Sequence, residues 1–252
     1  MLIRNRKCIN EMQLLILAGG FGTRISEETD YIPKPMVKIG NKPIIWHIIK
    51  YYVEYGFNDF IICGGYKHEI IKEYFNKKNL KRLLNTKKNL NISVFFTGKD
   101  SNTGERIKRV KMHLNDEFCL TYGDGLSNVN LNSLLAFHRK IKKTLVTVTS
   151  VLPQPRYGKL KFKGSKISDF YEKQSENENW INGGFFVCNK KMISFFKKKN
   201  SIFESDILTK LAKQNFLYGY KHKGFWYCMD TLRDKRHLNF LWKNKKAPWK
   251  IW

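Results

Sequence analysis

Residues 13–24 read QLLILAGGFGTR, an apolar run that ends abruptly in a glycine-rich segment. The first six residues carry no charge, which is typical of a β-strand buried on both faces of a parallel sheet. Three glycines follow within four residues, at Gly19, Gly20 and Gly22, and they allow backbone N–H groups to approach a phosphate closely. The segment therefore predicts a buried strand followed by an anion-binding loop.

Strand and helix patterns alternate along the rest of the first half. Apolar residues at helical spacing predict a helix over Pro43 to Glu54, with Gly56 as its left-handed cap. The other predicted elements of this half are Phe60–Cys63, His68–Phe75, Ile92–Phe96, Glu117–Tyr122, Leu131–Ile141 and Leu145–Val151. This order predicts an α/β fold, a Rossmann-like mixed and mainly parallel sheet flanked by helices.

The second half has a different pattern. A hairpin is predicted over Gly158–Phe162 and Lys166–Glu172, and further strands over Gly183–Cys188 and Phe225–Asp230. A small antiparallel portion is therefore expected beside the parallel sheet. We expect one compact domain over 12–252, preceded by a basic extension over 1–11.

Composition restricts the class of protein. The chain has 252 residues, of which 42% are hydrophobic and 14% aromatic, enough for a sizeable core. No run resembles a membrane span or a signal peptide, so a cytoplasmic protein without a membrane partner is expected. The five cysteines are far apart in sequence and suggest neither a disulfide framework nor a zinc site.

The formal net charge of +26 favours anionic partners. Many of the lysines stand in polar runs, such as Lys197 to Lys199, that lack interleaved aromatic residues. Such runs are typical of a solvated surface, and a nucleic-acid partner is not expected.

Several residues are candidates for phosphate chemistry. GGFGTR fits neither the dinucleotide fingerprint nor the Walker A pattern, but Thr23 and Arg24 add a hydroxyl and a guanidinium to the loop. Lys34 lies between two prolines, whose rigidity suits a lysine that meets a phosphate, although a surface turn is the alternative. Asp124 ends a strand between two glycines, a position that favours a metal ligand over a turn residue. Asp230 precedes a helix, where it could instead be an N-cap.

The pairing of LAGGFGTR (Leu17–Arg24) with PKPM (Pro33–Met36) resembles the signature of sugar-1-phosphate nucleotidyltransferases. Further segments are similar to glucose-1-phosphate cytidylyltransferases, namely ISEET, PMVKIGNKPIIWHIIKYY, IICGGYKHEIIKEYF, TYGDG, WINGGFFV, MDTLRDKR and APWKIW. The resemblance implies the nucleotide-diphospho-sugar transferase (GT-A-like) fold and the transfer of a nucleotide from CTP to α-D-glucose 1-phosphate. It also implies Mg²⁺ as the cofactor and a homo-oligomer.

The resemblance assigns roles to individual positions. The catalytic residues it implies are Arg24, Lys34 and Asp124, and the magnesium ligands are Asp124 and Asp230. The nucleotide-binding residues are Leu17, Ala18, Gly19, Gly20, Gly22, Thr23, Ser101, Arg106 and Gly123. The sugar-phosphate-binding residues are Glu172, Lys173, Trp180, Asn182 and Gly183, although Trp180 could instead belong to the core.

Three departures from the family pattern affect specificity. Residues 76–91 form a short stretch where the family has a long insertion, Glu105 replaces a glycine, and Gln174 replaces a proline. A nucleotidyltransferase for another base or sugar therefore remains an alternative. A basic RNA-binding module without activity is a more distant one, since nucleic-acid binding needs no acidic pair.

Overall fold

The computed structural model describes residues 12–76, 80–153, 158–171 and 179–252. The predicted basic extension over 1–11 lies outside the described residues. So do Glu172, Lys173 and Gln174, on which part of the sugar-phosphate prediction depends.

Thirteen strands are present in the described part of the chain. They are Gln13–Ala18 (β1), Lys38–Ile39 (β2), Lys42–Pro43 (β3), Asp59–Gly64 (β4), Asn91–Phe96 (β5), Glu117–Tyr122 (β6), Gly125–Ser127 (β7), Val146–Val151 (β8), Lys159–Lys163 (β9), Lys166–Tyr171 (β10), Ile181–Asn189 (β11), Leu217–His222 (β12) and Trp226–Cys228 (β13). The predicted strands are found within a few residues of their expected bounds, and β13 is shorter than Phe225–Asp230. The short strands β2, β3 and β7 and the edge strand β12 were not predicted.

The helices alternate with the strands in the first half, as predicted. They are Ser26–Thr29 (α1), Ile44–Tyr55 (α2), His68–Tyr74 (α3), Leu80–Leu83 (α4), Thr103–Arg109 (α5), Leu131–Lys140 (α6), Thr209–Lys213 (α7) and Leu232–Lys243 (α8). A π-helical turn, Phe203–Leu208, leads directly into α7, and short 3₁₀ turns cover Thr23–Ile25, Lys34–Met36, Lys111–His113 and Lys190–Phe195. Within the described ranges, no helix is long and apolar enough to cross a membrane.

Seven strands form the main sheet in the order β12-β8-β11-β6-β1-β4-β5. Six run parallel to one another, and β11 alone is antiparallel to its neighbours β6 and β8. The prediction of a mainly parallel sheet with an antiparallel portion is confirmed. After β1 the chain passes to β4 on one side and only later to β6 on the other, which creates a crevice at the carboxyl ends of β1 and β6 where ligands bind in such sheets.

Both faces of β1 are buried, which accounts for its continuous apolar sequence. Leu14 and Ile16 pack into a core on one side of the sheet, together with α2 and the carboxyl-terminal aromatic residues. Leu15 and Leu17 pack into a second core on the other side, with Phe203 among its members. Because alternate side chains of a strand point to opposite faces, β1 contributes residues to the hydrophobic cores on both faces of the sheet.

Candidate active site

A cavity of about 710 Å³ opens at the carboxyl ends of β1 and β6. Its wall contains nearly all the described residues that the sequence analysis singled out: Leu17, Ala18, Gly19, Gly20, Gly22, Thr23, Arg24, Lys34, Ser101, Arg106, Gly123, Asp124, Asn182, Gly183 and Asp230. Trp180 is the exception. Segments that are up to about two hundred residues apart in sequence thus meet at the crevice that the strand order creates.

The glycine-rich loop forms one wall of the cavity. Gly22 has a φ of 70°, in the left-handed region that favours glycine, and its carbonyl accepts hydrogen bonds from Ile25 N and from Thr29 Oγ1. At Gly20 a Cβ would meet no atom within 4 Å, so that position faces open space. At Gly19 a Cβ would lie 2.2 Å from the Arg106 guanidinium, so a larger residue there would have to displace that group. The loop therefore packs against Arg106 at Gly19 and faces open space at Gly20.

Arg106 is the group that holds the loop. It is 4% exposed. Its Nη2 donates to the Gly19 carbonyl at 2.9 Å, and its Nη1 donates to Thr97 Oγ1 at 2.9 Å and to the Gly98 carbonyl at 2.7 Å. These bonds direct the guanidinium to the protein's own backbone. Arg106 thus positions the loop that walls the cavity, and since it also lines the cavity, its binding of the nucleotide stays a prediction.

The two predicted carboxylates are brought together by a short antiparallel ladder. Strands β7 and β13 pair so that Cys228 lies opposite Gly125, and Met229 N donates to the Asp124 carbonyl at 2.9 Å. Asp124 stands just before β7 and Asp230 two residues beyond the end of β13. This ladder places both side chains at the same end of the cavity.

Lys34 lies between the two carboxylates. Its ammonium donates to Asp124 Oδ2 at 2.5 Å and to Asp230 Oδ1 at 2.7 Å, and Arg24 Nη1 donates to Asp230 Oδ2 at 2.8 Å. Burial alone would lower the pKa of Lys34, but the neighbouring carboxylates, Asp124 foremost, hold it above its ordinary value. The cluster is thus a fixed positive charge between two negative ones at the base of the cavity.

Asp230 does not cap the following helix. Thr231 is the N-cap of α8, and it forms a capping box in which its hydroxyl accepts from Asp234 N while the Asp234 carboxylate accepts from Thr231 N. The alternative that Asp230 is an N-cap is therefore wrong. Its carboxylate is directed at Lys34 and Arg24 instead.

The donor set fits a divalent cation. Oxygen atoms of Asp124 and Asp230 and the sulfur of Cys228 lie within 4.8 Å of one another. A cationic group already bonds to both carboxylates, and hard cations such as Mg²⁺ take carboxylate oxygens completed by water and phosphate oxygens. The open cavity leaves room for those remaining ligands.

The opposite side of the cavity carries neutral hydrogen-bonding groups. Asn182 Nδ2 donates to the Tyr122 hydroxyl at 3.2 Å, and Asn182 Oδ1 accepts from Gly184 N at 2.8 Å. Trp226 Nε1 donates to the Gly183 carbonyl at 2.6 Å. Trp226 lines the cavity, whereas Trp180 is half-buried under the Lys221 ammonium, 4.9 Å from its ring centroid.

A π-helical turn braces this side of the cavity. The Glu204 carboxylate accepts hydrogen bonds from the Tyr122 hydroxyl and, at 2.7 Å, from Thr103 Oγ1. Burial and the adjacent Glu204 raise the pKa of Tyr122, so its hydroxyl keeps the proton that it donates. One carboxylate thereby joins the end of β6 to the start of α5. No local sequence pattern connects residues 122 and 204, so motifs alone do not predict this link.

Residues 13–234 match the protein family described as nucleotidyl transferase. The chain belongs to this family. It is 42% identical, over 96% of its length and 100% of the relative, to the glucose-1-phosphate cytidylyltransferase of Salmonella typhimurium. It is 30% identical, over 83% of its length and 89% of the relative, to the D-glycero-alpha-D-manno-heptose 1-phosphate guanylyltransferase of Aneurinibacillus thermoaerophilus.

The fold of this nucleotidyl transferase family member agrees with solved structures. HddC from Yersinia pseudotuberculosis superimposes with a TM-score of 0.69 at 23% identity, over 92% of this chain and 99% of the other. The similarity supports the fold described above.

Proposed function

We propose that the chain transfers a cytidylyl group from CTP to α-D-glucose 1-phosphate, giving CDP-glucose and pyrophosphate. The observation that carries the proposal is the cluster of Lys34, Asp124 and Asp230 at the base of a glycine-walled cavity, in a member of the nucleotidyl transferase family. The choice of base and sugar is supported by the relative at 42% identity, which the chain matches over its full length.

The reaction is an in-line displacement at phosphorus. A phosphate oxygen of the sugar 1-phosphate forms a bond to the α-phosphorus of the nucleotide, and the bond from that phosphorus to the β-phosphate oxygen breaks. Pyrophosphate leaves with the bonding electrons. The attacking oxygen is already ionised at neutral pH, so positioning and charge neutralisation carry most of the rate enhancement. A cavity that brings Lys34 and Arg24 together at one end suits this chemistry.

The glycine-rich loop binds the triphosphate in this proposal. Backbone N–H groups around Gly19, Gly20 and Gly22 donate to phosphate oxygens, and the open space in front of Gly20 admits them. Arg24, whose side chain is 74% exposed, turns from Asp230 to the leaving pyrophosphate at little cost, because an exposed ion pair is weak. Leu17, Ala18, Thr23, Ser101 and Gly123 complete the nucleotide side.

Asp124 and Asp230 would hold Mg²⁺. When bound, the ion neutralises phosphate charge and orients the phosphate oxygens. Lys34 then exchanges its carboxylate partners for the reacting phosphates, which keeps its ammonium paired throughout. The Pro33 and Pro35 neighbours limit the backbone freedom of this lysine, so its ammonium stays within reach of both sets of partners.

The sugar phosphate binds on the side of Asn182 and Gly183 in this proposal. The side-chain amide of Asn182 is oriented by Tyr122 and by Gly184 N, a preorganisation that favours discrimination among sugar hydroxyls. Glu172 and Lys173 remain predictions for this subsite. Trp226, which lines the cavity, is a better candidate for sugar contact than Trp180.

The proposal is tested by incubating the purified chain with Mg²⁺, each of the four common nucleoside triphosphates and glucose 1-phosphate. We expect pyrophosphate release to be fastest with CTP and to produce CDP-glucose in equal amount. Absence of pyrophosphate with all four nucleotides would contradict the proposal.

A second candidate substrate pair is favoured by the heptose 1-phosphate guanylyltransferase at 30% identity. The same assay with GTP and heptose 1-phosphate distinguishes it. Turnover with that pair above the rate with CTP and glucose 1-phosphate would reassign the substrates but keep the reaction.

A further inference from the structure

The cysteine at the carboxylate cluster is not used in the proposed transfer. Cys228 and Asp230 are two residues apart, and Cys228 pairs with Gly125, the residue after Asp124. Its sulfur lies within 4.8 Å of oxygen atoms of both aspartates. The ladder that assembles the carboxylates thus adds a soft donor to two hard ones.

A thiol changes which metal ions the cluster prefers. Mg²⁺ binds oxygen ligands and gains nothing from sulfur, whereas Zn²⁺ and Cd²⁺ bind thiolate strongly. Zinc sites in proteins draw their ligands from cysteine sulfur, histidine nitrogen and aspartate or glutamate oxygen, so both donor types of this cluster are ones that zinc accepts. We propose that Asp124, Cys228 and Asp230 form a binding site for a thiophilic divalent cation, which competes with Mg²⁺ for the two carboxylates. The competition rests on the proposed function, but the binding site does not.

The geometry requires only small movements. A tetrahedral zinc ion with ordinary Zn–S and Zn–O bonds keeps its donor atoms roughly 3.5 Å apart, so side-chain rotation closes a set that spans 4.8 Å. The Lys34 ammonium, now bonded to both carboxylates, moves out when the metal enters. The exchange replaces one cation by another at the same place.

Proton balance follows from the chemistry of the thiol. An ordinary cysteine thiol carries its proton at neutral pH. Metal–sulfur bond formation releases that proton to the buffer. No electrons are transferred, and the step needs no oxidant.

The other cysteines provide controls. Cys63, Cys119 and Cys188 are buried in the hydrophobic cores and do not line the cavity. Cys8 lies outside the described residues, so its thiol must be tested directly. A Cys8→Ser variant is the matched control for Cys228→Ser, since each removes one thiol.

The test uses the full chain, freed of metal with a chelator and titrated with Cd²⁺ alone. We expect the ultraviolet thiolate-to-cadmium absorbance to rise to one equivalent in the natural chain and in Cys8→Ser. It should be absent in Cys228→Ser and in Cys228→Ala, the second variant guarding against a local defect of the first. Zn²⁺ should displace the signal, and zinc affinity should fall at least about tenfold in both Cys228 variants.

Mg²⁺ supplies the competition arm. In the natural chain, millimolar Mg²⁺ should weaken the apparent cadmium affinity, because both ions need Asp124 and Asp230. Full absorbance in the Cys228 variants, no absorbance in the natural chain, or a cadmium affinity that Mg²⁺ leaves unchanged would each overturn the proposal. None of these readouts needs a nucleotide, so a chain without transferase activity would still decide the question.

Discussion

Two regions of the molecule bury polar groups for different purposes. In the carboxylate cluster, Lys34, Asp124 and Asp230 are half-buried, charged and open to a cavity. In a second region, the ring of His47 contacts the rings of Trp46, Trp242 and Trp249. Trp252 packs against Trp46 and Trp242, and we call His47 with these four tryptophans the aromatic layer. In the cluster, two carboxylates of like charge lie close together and face a cavity. In the aromatic layer, the ring nitrogens of His47 and Trp249 are hydrogen-bonded and buried among aromatic rings.

The aromatic layer attaches the carboxyl-terminal residues to α2. Trp249 is fully buried, stacks on Phe225 at a centroid distance of 5.5 Å, and donates its indole N–H to His47 Nδ1 at 3.4 Å. Its contribution is packing and one buried hydrogen bond. We therefore expect substitutions in the layer to reduce the free energy of unfolding, and substitutions in the cluster to reduce turnover.

The largest effect is expected from Asp124→Asn. Loss of one carboxylate removes a metal ligand and leaves Lys34 with fewer partners, so turnover should fall by about 10²- to 10³-fold or more. The free energy of unfolding should change much less, because Asp230 still pairs with Lys34 and the repulsion between the two carboxylates is removed along with the Asp124 ion pair. Pyrophosphate release and urea denaturation measure the two quantities.

Asp116→Asn is the control for this substitution, since Asp116 is exposed and does not line the cavity. It should leave both quantities unchanged. Turnover of Asp124→Asn within a few-fold of the natural chain would show that the cluster is not the reaction site.

Trp249→Ala should have the opposite effect to Asp124→Asn, lowering stability much more than turnover. Removing a fully buried tryptophan should cost about 3 to 5 kcal/mol in the free energy of unfolding. Turnover per folded molecule should stay within a few-fold, because the aromatic layer does not line the cavity. Circular dichroism during urea denaturation, with activity normalised to the folded fraction, tests both expectations.

A graded variant controls for general damage. Trp249→Phe keeps an aromatic ring but loses the N–H that donates to His47, so its cost should be intermediate. If either variant lost turnover in proportion to stability, the separation of the two regions would fail.

The sequence predicted the fold well where a local pattern carries the information. The buried strand β1 and helix α2 are defined by periodicity and by glycines at their ends. Strand β12 was missed, because LYGYKH lies at the sheet edge, half-exposed, and lacks a continuous apolar pattern. Such a strand is specified by its partner β8 and not by its own residues.

The residue types of the candidate site could be predicted from the sequence, but their arrangement in space could not. Glycine, lysine and aspartate types indicated phosphate and metal chemistry at Gly19, Lys34 and Asp124. The pairing of β7 with β13, which brings Cys228 to the carboxylates, is a long-range register that no short motif encodes. The same holds for Glu204, whose partners Tyr122 and Thr103 are distant in sequence.

Arg106→Lys should affect both stability and substrate binding, whereas substitutions in the cluster or in the aromatic layer should affect mainly one property. Arg106 is buried like a core residue but bonds to the loop that walls the cavity. Lysine cannot reproduce the forked donation, so buried carbonyls at Gly19 and Gly98 lose partners at about 1 to 3 kcal/mol each. Both the free energy of unfolding and the KM for the nucleotide should change.

The two readouts distinguish positioning from direct contact. A positioning role predicts that stability falls and KM rises together, with kcat less affected. Arg109→Lys is the control, because Arg109 lies on the same helix, half-exposed, and pairs with Glu105. A raised KM at unchanged stability would instead indicate that the Arg106 guanidinium contacts the nucleotide itself.

The smallest effect concerns the pH dependence of stability at His47. The Ile39 carbonyl can only accept, at 3.0 Å from Nε2, and the Trp249 indole can only donate, to Nδ1. These partners fix the neutral form with its proton on Nε2. Burial lowers the pKa of His47 to about 4, and the nearby Lys42 charge acts in the same direction.

Because the unfolded chain binds this proton more readily, the contribution of His47 is fully present above pH 6.5 and is lost as the pH falls towards 4. Between pH 7 and 5 it should amount to about 2 kcal/mol. His47→Asn should flatten the difference between urea denaturation curves at these two pH values, whereas His113→Asn, at an exposed histidine, should not. An equal pH dependence in His47→Asn and the natural chain would show that His47 is not held neutral, and that the aromatic layer tolerates a charge as the carboxylate cluster does.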